Sequence, residues 1–599
     1  MILQSLVRYY EIMAKDGKLP LPGYSTANVS LAINLSPDGT VQSIVTMKEP
    51  KTRGKKTVDV PQSMTVPEQV VRAVNVCPNF LCDNASYLLG IDSKGKPERT
   101  LECFSKSRKL HEAVLSGVHT ETAQAVLNFF QHWEPQKAAE HPALLDKLEE
   151  ILAGGNLIFI LNGGNRAQDK PEIRNAWESY RKSQDSSSLK PCLVTGRIAP
   201  VARLHGKIKG VKGAQAVGAN LVSFNSSAYE SYGHDGEQGL NAPVSEYAVF
   251  AYTTALNYLL SSDDHRIQLG DTTVVYWAEG RQQECGNLFT ATMNPQNEDQ
   301  NNLLDSIMEK VKDSQPIADD VTLSTPFHIL GLAPNAARIS VRFYLHDTFG
   351  NFLNNIAQHY KDLEIAKPPF EFQYLTTYWL LQETVNPNSK DKKASDIMTG
   401  AVLRSILAKQ PYPESLLNAV MLRIRAEQDD PDKHIQKISS GRAAIIKACL
   451  LRTSNNESYK EVLTVSLKTE SKNRAYTLGR LFAVLEKAQQ DANPDINTTI
   501  KDRYFTSACA TPKIVFHTLF SLYQPHLEKI KKADSGKRKG YAINLDKLVR
   551  ELMDKFEVDE DPFPARLDMD GQNLFILGYY HQVQDFYTPK NKDEKNEEE

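Results

Sequence analysis

Apolar positions along this chain follow two different periods, and the change falls near Phe370. Upstream, short runs alternate apolar with polar residues, as in NVSLAINLS and VQSIVTMK within Val29–Val60, which predicts hairpin strands. NLIFILNGG predicts a buried strand, and Thr272–Ala278 and Ile339–Tyr344 predict two more. Helices are predicted at Leu3–Ala14, closed by Gly17 and the Pro20/Pro22 pair, and at Ser105–His119, Glu121–Trp133 and Val244–Leu260. Asn165–Leu189 has the pattern of a polar helical connector with a flexible SQDSSS end, and Asn294–Asn302 that of a polar linker with little to pack. Downstream of Phe370 the strand-like alternation nearly disappears. Leu403, Ile406 and Leu407 recur at helical spacing, as do Leu478, Leu481, Phe482 and Leu485, and then Leu548, Leu552 and Phe556. Such stripes are core, and they predict a bundle of about seven to nine helices. The fold class is therefore α+β. A mixed N-terminal domain (1–369) has short antiparallel strands and basic glycine-rich loops, and an all-helical bundle (370–589) follows. The charged tail KNKDEKNEEE (590–599) is expected to be disordered.

Composition narrows the class. The 599 residues are 41% hydrophobic and 24% charged, as in ordinary globular proteins. No stretch approaches the roughly 18 consecutive apolar residues of a membrane span, and the N-terminus lacks a signal-peptide layout. No membrane role and a cytoplasmic location are expected. The seven cysteines are odd in number and form no CxxC pair, so free buried thiols are expected rather than a zinc site. No cofactor and no metal are predicted.

The charge distribution changes the picture more than the total. Formal net charge is only −3, yet between Asp185 and Glu230 there is no carboxylate at all. Lys190, Arg197, Arg203, Lys207, Lys209 and Lys212 all fall in that window, interleaved with Gly196, Gly206, Gly210, Gly213 and Gly218. Segregated positive charge is the footprint of a polyanion site. Glycines permit turns and close backbone approach to phosphate, while Gln215, Asn220, Ser223, Asn225 and Ser226 are able to read base edges or sugars. The competing reading is a plain hairpin end followed by a strand at Ala219–Phe224. A nucleotide P-loop is excluded, because no Gly-Lys-Ser/Thr follows at the required spacing. Two further basic stretches stand out. KEPKTRGKKT carries Lys48, Lys51, Arg53, Lys55 and Lys56 and is either a solvated hairpin tip or a loop lying on a nucleic-acid backbone. Lys529, Lys531, Lys532, Lys537, Arg538 and Lys539 flank ADSG and are expected to form a mobile basic loop.

Catalytic constellations are thin. Cys192 and His205 would need an orienting partner from outside a carboxylate-free window. His346-Asp347 invites comparison with HD-type metal nucleases, but the additional ligands such a site requires are not legible, and His234-Asp235 in a polar loop has the same weakness. The expectation is a non-catalytic protein; the alternative is a metal-dependent nuclease with its own DNA-binding loops.

Several long motifs in order carry a resemblance. CLVTG, RLHGKIKGVKGAQAVGANLVSFNSSAYESYG, NAPVSEYAVFAYTTALNYLL, GDTTVVYWAE, GLAPNAARISVRFY, AYTLGRLFAVLEKAQ and LGYYHQ, with MILQSLVRYYE and FLCDNASYLLG, resemble the large subunit of the type I-C CRISPR–Cas surveillance complex, the Csd1 family. The resemblance implies a ribonucleoprotein subunit in antiviral defence. It would recognise the protospacer-adjacent motif in duplex DNA, aid strand opening and help recruit the helicase-nuclease. Guide pairing would read the remaining sequence. Implied partners are target duplex and displaced single strand, the CRISPR RNA-containing complex with its backbone and guide 5′-end-binding subunits, a small subunit and the helicase-nuclease. The bundle resembles that small subunit, a copy of which this family also makes from an internal start; Met398, Met421 and non-AUG codons all stay open. On this reading Lys207, Lys209 and Lys212 contact phosphates, and Gln215, Asn220, Ser223 and Asn225 contact bases or sugars. Arg53, Lys55 and Lys56 join the DNA contacts, and the basic stretch Lys529–Lys539 holds the displaced strand.

Overall fold

The computed structural model describes residues 2–588 apart from 54–55, 71, 73–74, 184–187, 232, 235, 280–281, 296, 313–322, 497, 533–535 and 558–560. The tail 590–599 and most of SQDSSS therefore lie outside the described residues. The chain divides into two compact units, one of Met1–Lys207 and Val222–Asn257, the other of Ile208–Leu221 and Tyr258–Glu599. Phe370 falls inside the second unit. Among the described residues no strand follows Arg338–Thr348, and the elements after it are helical.

In the first unit the strand Tyr24–Leu35 is central. Its first half pairs antiparallel with Lys56–Pro67 and its second half with Val41–Thr46. Its other edge pairs parallel with Asn156–Leu161, which departs from the expected antiparallel pairing. Parallel neighbours need a long crossover, and here it contains the helices Pro97–Leu115 and Glu121–His132. These bury Phe104, Phe129 and Phe130 with Leu31, Ile33, Phe159 and Trp177 in one core cluster. The first of them begins at Pro97 rather than Ser105. Its polar opening turns carry no apolar period, but proline is favoured at the first helical position. The helix Ile2–Lys15 ends in Gly17 at φ +70°, as its glycine predicts.

The second unit has a sheet in the order Ala219–Asn220, Arg338–Thr348, Pro326–Asn335, Thr272–Ala278, Arg266–Leu269. Ten helices follow Phe370 among the described residues, two of them, Thr377–Gln382 and Glu457–Lys460, little more than a turn. Sheet and bundle share one core. Tyr276, Phe289 and Phe327 belong to the same cluster as Leu403, Ile406, Leu478, Phe482 and Leu574. The expected linker Asn294–Asn302 is corrected: the helix Glu298–Lys312 begins within it and buries Leu304 and Ile307. Its acidic first turn suits the positive end of the helix dipole, so polarity there marks a helix start rather than a linker.

The helices Arg474–Ala492 and Met569–Tyr587 approach most closely through glycines. A Cβ placed on Gly479 would lie 1.9 Å from the Phe575 carbonyl oxygen, and one on Gly578 would lie 2.1 Å from that of Tyr476.

Candidate nucleic-acid interface

The acid-free window starts with a two-stranded ribbon, Leu189–Pro191 paired with Ile198–Pro200. Its turn explains CLVTG. The Cys192 amide donates to the Arg197 carbonyl at 2.9 Å, and Gly196 takes φ +73° to close the loop. The Cys192 sulfur accepts amide N–H groups from Val194 and Thr195 (both 3.4 Å) and from Ser245 (3.2 Å). Burial pushes this thiol up, but the hydrogen bonds from Ser245 and Thr195 outweigh it and bring the pKa down to about 7. His205, buried, pairs through Nδ1 with the Tyr252 hydroxyl at 2.7 Å, and burial depresses it to about 4. Each group is thus engaged as a structural tie.

From His205 onward the chain is held by close packing at its glycines. A Cβ on Gly206 would meet Thr253 at 2.8 Å, and Asn257 Nδ2 donates to the Lys207 carbonyl at 3.0 Å, both within the first unit. In the second unit, Gly210 (φ +89°) lies against Leu260 and Gly213 (φ +80°) against Pro334, each with space of only 3.2 Å for a Cβ. The Lys212 amide donates to Thr273 Oγ1 at 3.2 Å, and the Asn220 amide to the Ala337 carbonyl at 3.1 Å. Glycine here serves close approach of the chain to its own scaffold, the plainer of the two sequence readings. It also sets the side chains: Ile208 and Val211 are buried, while Lys209, Lys212 and Gln215 face solvent. The expected strand Ala219–Phe224 is corrected to Ala219–Asn220, because only Asn220 finds a ladder partner, Arg338.

The site residues are divided between the units. Lys209, Lys212, Gln215 and Asn220 belong to the second; Lys207, Ser223 and Asn225 belong to the first. Lys207, Asn220 and Ser223 are half-buried, and Asn225 is exposed. Sequence reasoning missed Arg338, which the register sets opposite Asn220. Nothing local could have found it at that separation.

The other basic stretches fare differently. Arg53 and Lys56 face each other at the end of a hairpin; their side chains, and Lys55 entirely, lie outside the described residues. Of the mobile basic loop expected over Lys529–Lys539, residues 533–535 lie outside the described residues, and the basic residues on either side are helical rather than in a loop. Lys529, Lys531 and Lys532 form the last turn of the helix Pro512–Lys532, where cations complement the dipole. Lys537, Arg538 and Lys539 lie in the first turns of Gly536–Met553. Lys529 donates to Asn493 Oδ1 at 2.7 Å and Lys531 pairs with Glu528 at 3.1 Å, while Lys532 and Lys539 are exposed. The Lys537 and Arg538 side chains lie outside the described residues.

Of the histidine-aspartate pairs, Asp347 accepts from the Thr348 amide and Asn351 Nδ2, both at 2.7 Å, at the start of the helix Phe349–Leu363. His234 pairs with Glu237, and Asp235 lies outside the described residues. Among the described residues no group of three or more potential ligands could hold a metal ion. Nor is any helix among them long and apolar enough to cross a membrane.

A profile of the family described as CRISPR-associated protein (Cas_Csd1) matches residues 6–587. The chain belongs to the Csd1 family. The match spans both units, the basic window and the two helices that cross at Gly479 and Gly578. No curated protein matches the chain. As a Csd1-family protein it is a CRISPR-associated component.

Proposed function

We propose that this Csd1-family protein is the subunit of a CRISPR RNA-guided complex that reads the short motif flanking the target in duplex DNA, without itself cutting it. The observation that carries the reading is the side-chain pattern of Ile208–Gln215. Buried Ile208 and Val211 anchor a carboxylate-free segment from which Lys209, Lys212 and Gln215 project. Lysines on such a segment hold phosphate as point charges and carry no sequence information, whereas an amide reads a base edge. Asn and Gln beside glycines suit the minor groove and an A·T-rich motif. Binding there is the step from which strand opening and guide pairing proceed. The helical bundle, with exposed Lys532 and Lys539, is assigned to the displaced strand, and the assembled complex to recruitment of the helicase-nuclease.

The test is selection of duplexes with a randomised flank by the assembled complex. One flank should be enriched, and Gln215→Ala should flatten that preference, costing about 1–3 kcal/mol on the preferred motif. Equal retention of every flank by the wild-type complex would overturn the reading.

A further inference from the structure

The segment Lys367–Leu375, which leads from the helix Phe349–Leu363 towards Thr377–Gln382, turns Phe370 and Phe372 outward while Tyr374 and Leu375 pack against the core. Phe370 is 86% exposed and Phe372 70%, and the short helix adds Tyr378 at 56% and Trp379 at 47%. The Phe372 and Trp379 rings stack with centroids 6.0 Å apart, and Tyr378 meets Trp379 edge-on at 5.2 Å. Beneath them runs an open groove of about 980 Å³, floored by Tyr360, Leu363 and Ile365. A second groove of about 420 Å³, lined by Ile267, Leu269 and Met293, flanks the same aromatic pair. Contiguous exposed aromatic surface of this kind marks an interaction site.

This display is built into the fold. Lys367 Nζ donates to the carbonyls of Phe372 (2.5 Å) and Gln373 (2.8 Å), and Tyr374 and Gln373 both donate to Asp305. Ser440 donates to Glu371, the Ala366 amide to the Val465 carbonyl at 2.7 Å, and Tyr580 to the Ala366 carbonyl at 2.8 Å. With its polar groups tied down, the segment holds the aromatics out and lowers the backbone ordering cost of binding.

Charge selects the occupant. Among the described residues, Asp305, Glu364, Glu371 and Glu383 line the large groove with Lys361 and Lys367; Glu383 is paired with Arg442 at 3.3 Å and the Lys367 ammonium is turned onto the segment's own carbonyls, which leaves Asp305, Glu364 and Glu371 against Lys361. Bases would stack on these rings, but their phosphates would meet the carboxylates. The chain's own tail 590–599 has three lysines against five acidic residues and no apolar side chain, so it matches neither the charge nor the surface. We propose that this groove docks a segment of a partner protein in which an aromatic or aliphatic anchor is flanked by Lys or Arg. The proposal is independent of the role assigned to Lys209 and Lys212.

Selection of phage-displayed random peptides of about 12 residues on the full-length protein tests it. Recovered sequences should combine Trp, Phe or Leu with Lys or Arg and lack Asp and Glu. A fluorescein-labelled consensus peptide should lose about tenfold or more in affinity on Trp379→Ser and on Phe372→Ser. Glu364→Gln should weaken it less and reduce its salt dependence. Phe370→Ser, at the most exposed of these positions, provides the same readout should either of the other variants melt early. Four results would overturn the proposal: no peptide whose binding depends on these residues; an acidic consensus; labelled oligothymidylate bound by the wild type and lost in the variants; or self-association in light scattering that Phe370→Ser abolishes.

Discussion

Gly479→Ala tests the helix crossing that organises the bundle, because two effects of opposite sign meet there. Gly479 lies inside the helix Arg474–Ala492, and helix propensity alone predicts that alanine stabilises such a position by about 1 kcal/mol. Packing predicts the reverse. The new Cβ would sit 1.9 Å from the Phe575 carbonyl oxygen and 2.8 Å from the Tyr579 amide nitrogen, whereas ordinary contact begins at 3.4 Å. The helix Met569–Tyr587 would therefore have to retreat by about 1.5 Å. No side chain is able to rotate away, since both obstacles are backbone. The cost belongs at the upper end of overpacking, about 3 kcal/mol, for a net loss of about 2 kcal/mol after the propensity gain. At about 2–4 °C per kcal/mol the thermal midpoint should fall by roughly 4–8 °C. Gly540 is the control: it lies in the helix Gly536–Met553 with nothing within 4 Å of a Cβ, so Gly540→Ala should raise the midpoint slightly. The assay is the circular dichroism melt of both full-length variants beside the wild type. A Gly479→Ala midpoint equal to or above wild type would refute the crossing as described.

Three other outcomes are expected. His359 and His581 are buried and neutral, their Nδ1 atoms 2.6 and 2.8 Å from the hydroxyls of Tyr412 and Tyr476, and burial pushes each from 6.5 down to about 3. Their folded pKa lies below the unfolded one, so this stability is whole above about pH 6.5 and is lost as pH falls towards 3. From pH 7.5 to 5.5 the pair should cost the second unit about 3 kcal/mol, and His359→Gln should flatten the slope of midpoint against pH by one histidine's share, about half of that loss; a pH-independent midpoint would count against it. Lys447 is 2% exposed and burial lowers its amine from 10.5 to about 8, so at neutral pH its charge opposes folding. Lys447→Met should therefore stabilise by up to about 3 kcal/mol in urea unfolding, and wild-type stability should rise between pH 8 and 10.5; a destabilised variant would contradict this. Finally, Lys209→Ala and Lys212→Ala together should reduce the slope of log affinity for DNA against log salt by about 0.9 per lysine, with all sequences weakened alike, and an unchanged slope would remove the phosphate assignment.

What the residues determined by themselves was local. Thr272–Ala278 was legible to the residue because a run of branched and aromatic side chains, all buried, has no helical reading of that length. The stripe Leu478, Leu481, Phe482 and Leu485 was legible because 3.6-residue spacing puts them on one face, and all four are buried. The acid-free window and its lysines were legible as charge. The strand Pro326–Asn335 was not, since its prolines and glycine obscure any period and its place depends on pairing with Arg338–Thr348. Nor was the parallel pairing of Tyr24–Leu35 with Asn156–Leu161, a contact closed over a long crossover.

Only the tertiary structure decided what the glycines and aromatics are for. Gly206, Gly210 and Gly213 read equally well as phosphate cradle or turn until Thr253, Leu260 and Pro334 are seen against them. Phe370, Phe372 and Trp379 have the composition of core, yet they face solvent because Lys367 ties the segment to its own carbonyls while Tyr374 and Glu371 tie it to Asp305 and Ser440. The physical reason is the same in both cases. Local sequence sets the period and the available dihedrals, whereas burial is a property of neighbours that loop closure brings from far along the chain.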